Sequence, residues 1–150
     1  MKRLIAISAA MLLFATALFG CSPAGDLFDH AGFVALLEAN GFAFEQLDEG
    51  EGLLSGCHRV LSLGKELLSI YAYRTSRAME RNAGYVCRGG STITLSRSRL
   101  SRQTLHISWV STPHWFKRDT IIVRYVGKNQ DIIDFLSEHL TFFAGHNNPS

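Results

Sequence analysis

His58-Arg59-Val60-Leu61-Ser62-Leu63-Gly64-Lys65-Glu66-Leu67-Leu68-Ser69-Ile70-Tyr71-Ala72-Tyr73 contains two runs of β-forming residues with Gly64-Lys65 between them. The first run, 58–63, and the second, 66–73, read as the arms of a tight hairpin, because glycine at the join accepts the left-handed backbone that a two-residue turn requires. A hairpin makes the sheet antiparallel, and its apolar residues need cover from amphipathic elements elsewhere in the chain.

Upstream, Leu27, Ala31, Val34 and Leu37, joined by Phe33 and Leu36, recur at helical spacing between Asp26 and Asn40. Asp26 is placed to cap this helix and Gly41 to stop it. Phe42 and Phe44 alternate with Ala43 and Glu45 as a short strand, before the turn-rich segment 48–52. Downstream, Thr75 can cap a second helix with Ala78, Met79, Ala83 and Val86 on its apolar side, ended by Gly89-Gly90. Residues 91–95, 104–110 and 120–126 read as strands. The last, with Ile121-Ile122-Val123, is apolar on both faces and therefore central. A final helix is expected from Gln130 to Phe142, with Ile132, Ile133, Phe135, Leu136, Leu140 and Phe143 as a broad apolar stripe. The expected class is α+β, an antiparallel sheet of about five or six strands with about three helices packed on one face.

The N-terminus is Met1-Lys2-Arg3, an apolar run from Leu4 to Phe19, then Gly20-Cys21. Cations followed by an apolar stretch and a small residue are the parts of a secretory signal, and the run is short of the roughly 20 residues that span a bilayer. Leu18-Phe19-Gly20-Cys21 resembles the lipobox of bacterial lipoproteins. Leu18, Gly20 and Cys21 match it well, whereas Phe19 is bulkier than the usual residue. The resemblance implies cleavage before Cys21 and lipid on its thiol. The chain then divides into a signal peptide (1–20), a lipidated cysteine with a short tether (21–25), a single domain (26–145) and a frayed tail (146–150). Residues 22–25 reach roughly 14 Å when extended, so the domain is expected close to the membrane surface. The expected location is the extracytoplasmic face of the cell membrane, or the outer membrane if the source is Gram-negative.

Loss of the signal changes the charge. The whole chain carries 15 basic and 13 acidic side chains, and Lys2 and Arg3 leave with the signal, so the remainder is formally neutral. A nucleic-acid partner is not expected on this balance. With Cys21 lipidated, Cys57 and Cys87 remain, either as a disulfide or as two free thiols.

The charges are nevertheless segregated. Residues 26–51 hold seven acids and no base, and residues 74–118 hold nine bases and one acid, Glu80. Arg74, Arg77, Arg81 and Arg88 fall within roughly 60° on a helical wheel, with Arg97, Arg99 and Arg102 following. This is either a solvated face or a surface for an anionic partner such as lipid headgroups, a wall polymer or an acidic protein. A second candidate is Pro113-His114-Trp115-Phe116-Lys117, read as a connection between strands. It is either an aromatic interaction loop or a segment folded back into the core with Trp109.

Catalytic motifs are not found. The six histidines make no metal-ligand spacing, no nucleophile elbow or phosphate loop occurs, and no metal or cofactor is expected. The stretches 107–114, 122–127 and 143–145 resemble a group of small lipoproteins of Gram-positive bacteria whose function is unknown. That resemblance carries over no catalytic residue. The expected function is a membrane-anchored, non-enzymatic binding or accessory module of the cell envelope, touching the membrane and a protein or anionic envelope partner. The alternative is an enzyme or small-ligand carrier with a site assembled from His114, Lys117 and Arg124.

Overall fold

The computed structural model describes residues 27–47, 52–98 and 101–145, with the side chains of all of these except 96–98 and 101. The signal segment, Cys21 and its tether, Asp26, the side chains of Arg97 and Arg99, and the tail 146–150 lie outside the described residues. In chain order the elements are α1 (His30–Ala39), β1 (Glu45–Leu47), β2 (Cys57–Leu63), β3 (Glu66–Ala72), α2 (Ser76–Ala83), β4 (Thr92–Ser98), β5 (Ser101–His106), β6 (Pro113–Arg118), β7 (Ile121–Val126), α3 (Gln130–His139) and β8 (Thr141–Gly145). The class is α+β, as expected. A six-stranded sheet runs β1-β2-β3-β7-β6-β8, every neighbouring pair is antiparallel, and β4-β5 form a separate hairpin.

The hairpin at Gly64-Lys65 forms with Leu63 opposite Glu66 and Gly64 at φ +65°. Strand alternation then assigns the faces. Leu61, Leu63, Leu68, Ile70, Phe116, Val123 and Tyr125 point to one face, where Phe33 and Leu37 of α1 and Ile132, Ile133, Phe135 and Leu136 of α3 cover them. Tyr71, Ile122 and Trp115 point to the other, beneath Met79 and Ala83 of α2, with Leu54, Val86 and Ile93. The expectation of three helices on one face therefore holds for α1 and α3 only. β6 and β7 are apolar on both sides, so each face needs its own cover, and α2 with the β4–β5 hairpin supplies the second.

Several boundaries differ from expectation for identifiable reasons. The first helix begins at His30, where the Asp29 carboxylate accepts from Gly32 N at 2.9 Å. The second stops at Ala83 with Gly84 as its cap, six residues before the expected glycine pair, and Val86 instead bridges Ile93. The third stops at His139. Leu140 is extended, and the aromatic run Thr141–Gly145 becomes an edge strand beside β6. No helix among the described residues is long and apolar enough to cross a membrane.

Candidate functional site

The segment Pro113–Lys117 is not a loop. It is most of β6, between β7 and β8, with Pro113, His114, Trp115 and Phe116 all buried. Pro113 is the first residue of the strand, where its missing N–H costs least, and Trp and Phe suit a pleated, buried surface. The interaction-loop reading of these residues is thereby corrected to core.

The alternation of β6 also puts His114 on the opposite face of the sheet from Lys117 and Arg124, the other two residues proposed for a scattered active site. His114 lies opposite Tyr125 and stacks on its ring at 5.9 Å on the α1/α3 face, donating from Nε2 to the Gly127 carbonyl at 3.1 Å. Trp115 lies opposite Arg124 on the α2 face. Lys117 is taken by Glu80 of α2 at 2.5 Å and lies over the Phe143 ring. These side chains do not converge. Among the described residues no group of His, Cys, Asp and Glu is placed to hold a metal ion.

The arginine stripe is likewise redistributed. Because α2 is two turns long, only Arg77 and Arg81 lie on it. Arg74 precedes the cap residue Thr75, and Arg88 lies in the turn beyond the helix. All four, and Arg102, are exposed. Arg81 borders a shallow depression of about 400 Å³ lined also by Leu53, Ser55, Asn82, Tyr85 and Leu95.

Cys57 and Cys87 are both free and exposed, so the alternative of a disulfide gives way to two accessible thiols. Partial burial works to raise the Cys87 pKa, but hydrogen bonds from Thr92, Ser91 and Gly89 outweigh it and hold the thiol below its ordinary value. The two cysteines mark opposite ends of the sheet. Cys57 pairs with Ala72, which pairs with Ile121 beside the β6–β7 turn. Arg88, next to Cys87, accepts at its carbonyl from Gly145 N, and Gly145 pairs with His114 at the far end of β6.

The β6–β7 turn also receives the start of the domain. Phe28 N donates to the Asp119 carboxylate at 3.1 Å, Thr120 Oγ1 donates to the Phe28 carbonyl at 2.9 Å, and the Arg118 guanidinium lies 4.0 Å from the Phe28 ring centroid. Tyr73 N donates to the Thr120 carbonyl, which brings Arg74 to the same end.

The remaining constellation centres on Arg124, which the sequence offers as a member of a scattered site with His114 and Lys117 but with no sign of the partners it has here. A row of cross-strand partners crosses the α2 face: Val60, Ser69, Arg124, Trp115 and Ala144. The Arg124 guanidinium lies 5.1 Å from the Trp109 ring centroid and 5.7 Å from that of Trp115, and donates to Ser69 Oγ at 2.6 Å. Both indole N–H groups donate to the Gly90 carbonyl. Gly90 sits at φ +70°, and a Cβ there would come within 3.0 Å of Trp115 and Gly145, so only glycine fits. Burial works against the charge of Arg124 and lowers its pKa, opposed by the neighbouring Tyr71. Tyr71 is fully buried, stacked between His58 and Trp115, and its own pKa is raised by desolvation. No protein-family model, curated protein or solved structure matches this chain.

Proposed function

We propose that the chain is a lipid-anchored extracytoplasmic protein that serves the cell envelope as a non-enzymatic binding module. Its domain stands on the bilayer by the end of the sheet that carries the β6–β7 turn. The observation that carries this reading is the fixing of Phe28 at that turn by Asp119, Thr120 and Arg118. Cys21 lies seven residues earlier in the chain, so even fully extended backbone keeps this end within about 25 Å of a lipid on that cysteine.

The charges at this end suit an anionic surface. Arg118 and Arg74 lie there, and Arg77 is in the first turn of α2. Of the acids there, Glu80 is paired with Lys117. Asp29 and Asp119, which accept from backbone N–H groups, and Glu138, next to the His139 carbonyl that takes Arg118, keep their charge. The arginines therefore act locally and not through a net charge of this end. Each base near an anionic leaflet contributes about 1 kcal/mol, and the acyl chains supply about 0.8 kcal/mol per buried methylene. Lipid therefore holds the protein, and the arginines orient it.

Fatty-acid labelling in cells that process lipoproteins tests the anchor. Label on the wild type and a longer, unlabelled Cys21→Ser precursor are expected. A mature, unlabelled wild-type protein in the medium would overturn the reading.

A further inference from the structure

We infer that Arg124 is a binding site for the carboxylate of a peptide partner, on the part of the α2 face that no helix covers. A guanidinium has five N–H donors, and here one goes to the uncharged hydroxyl of Ser69, itself 5% exposed. The two tryptophan rings flank the cation but accept no proton. Among the described residues the only ion pair is Lys117 with Glu80, so no carboxylate there answers Arg124. The remaining donors of this half-buried cation are open to solvent, so a planar anion can take two of them side by side against the aromatic, low-dielectric wall of the two tryptophans.

One cation and one hydroxyl match a singly charged carboxylate, whereas a phosphate dianion calls for more donors. The surroundings favour a carboxylate carried beside apolar groups. Leu67, on the same face of β3 as Ser69, is 52% exposed, and Val110, next to Trp109, is fully exposed. Val126, on the same face of β7, is partly exposed. Arg124 is at mid-strand in β7, and the exposed Leu67 and Val126 lie beyond it on the side away from the β6–β7 turn, so a domain seated on the membrane by that turn leaves the approach to the site from that side open. The site itself does not depend on the lipid anchor.

Trp109 and Trp115 are the two tryptophans of the chain, so their fluorescence and indole N–H signals report on this site directly. The test titrates the domain, residues 21–150 with Cys21→Ser, with N-acetyl-leucine, N-acetyl-leucinamide, a capped peptide with one glutamate among leucines, and inorganic phosphate. The acid is expected to shift both indole signals saturably, and the amide to bind at least tenfold more weakly. Arg124→Gln should abolish the response. Arg124→Lys, which keeps the charge but not the fork, should weaken it while leaving the rest of the amide spectrum in place. A stronger response to N-acetyl-leucine marks a chain terminus as the natural source, and a stronger response to the glutamate peptide marks a side chain; either supports the site. Equal responses to acid and amide, no response at all, or tighter binding of phosphate would overturn it.

Discussion

Trp109 and Trp115 donate their indole N–H groups to the same acceptor, the carbonyl of Gly90, at 3.0 and 3.1 Å. That carbonyl has two lone pairs, and both are used. The rings are thereby fixed edge to face, with centroids 6.4 Å apart, beside the guanidinium of Arg124.

Gly90→Ala should therefore disturb both rings at once. The substitution puts a side chain on left-handed backbone and drives a Cβ against Trp115 and the Gly145 backbone. Strain and overpacking together are expected to cost at least about 2 kcal/mol in urea unfolding, with a red shift of tryptophan emission. Unchanged stability and emission would contradict the shared-acceptor geometry.

Trp115→Ala should cost about 3–5 kcal/mol, because the side chain is fully buried. Val110→Ser, at a fully exposed neighbour of Trp109, should stay within about 0.5 kcal/mol of wild type. Denaturant midpoints of the two variants distinguish a core strand from an interaction loop; a Trp115→Ala domain of native stability would restore the loop.

Much of the fold was legible because it rests on local pattern. The Gly64-Lys65 hairpin, the helical spacing of Phe33 and Leu37, and the doubly apolar Ile121–Val123 each carry their own signal. β6 and β8 were not. Pro113 reads as a loop residue until the chain places it at the start of a strand, and Phe142-Phe143 continue the apolar stripe of α3 beyond the point where the backbone turns extended. The Arg124 site was beyond reach for a different reason. Its parts come from β3, β7, β6 and the segment after β5, and only the strand register brings Ser69, Arg124 and Trp115 into one row.

Alkaline pH should destabilise the domain. Burial raises the pKa of Tyr71 and of Tyr73, where Tyr71 adds to the effect, and pushes Tyr125 up to about 12, aided by Glu66. A folded-state pKa above the unfolded value of about 10 means that the native state keeps protons the unfolded chain has lost. That contribution is complete below about pH 10 and is lost as pH rises toward the folded values. Denaturant midpoints should fall from about pH 9 to 11, with Tyr125→Phe showing a shallower fall. A flat profile would contradict the burial of these phenols.

Thiol reagents should modify Cys57 and Cys87 in the folded domain without denaturant, since both are exposed. Cys87, whose pKa is lowered, should react faster at neutral pH. Following the Cys57→Ser and Cys87→Ser variants separately checks the order. Protection of both until unfolding would contradict the structure.

Arg74→Gln and Arg118→Gln should each reduce binding of the unlipidated domain to anionic vesicles by roughly fivefold, an effect fading with salt. Arg102→Gln, on the β4–β5 hairpin, should have less effect. Equal losses at all three positions would mean that no one end faces the bilayer.

The orientation of the domain is tested most directly by a fluorophore placed on Cys57 or on Cys87 of the lipidated protein, the other cysteine being serine, in vesicles with a quencher on the lipid headgroups. Cys57 lies at the β6–β7 turn end of the sheet and Cys87 at the far end. Strong quenching at Cys57 and little at Cys87 is the result expected of a domain that stands on the bilayer by its Phe28 end. Equal quenching at both, or more at Cys87, would contradict it.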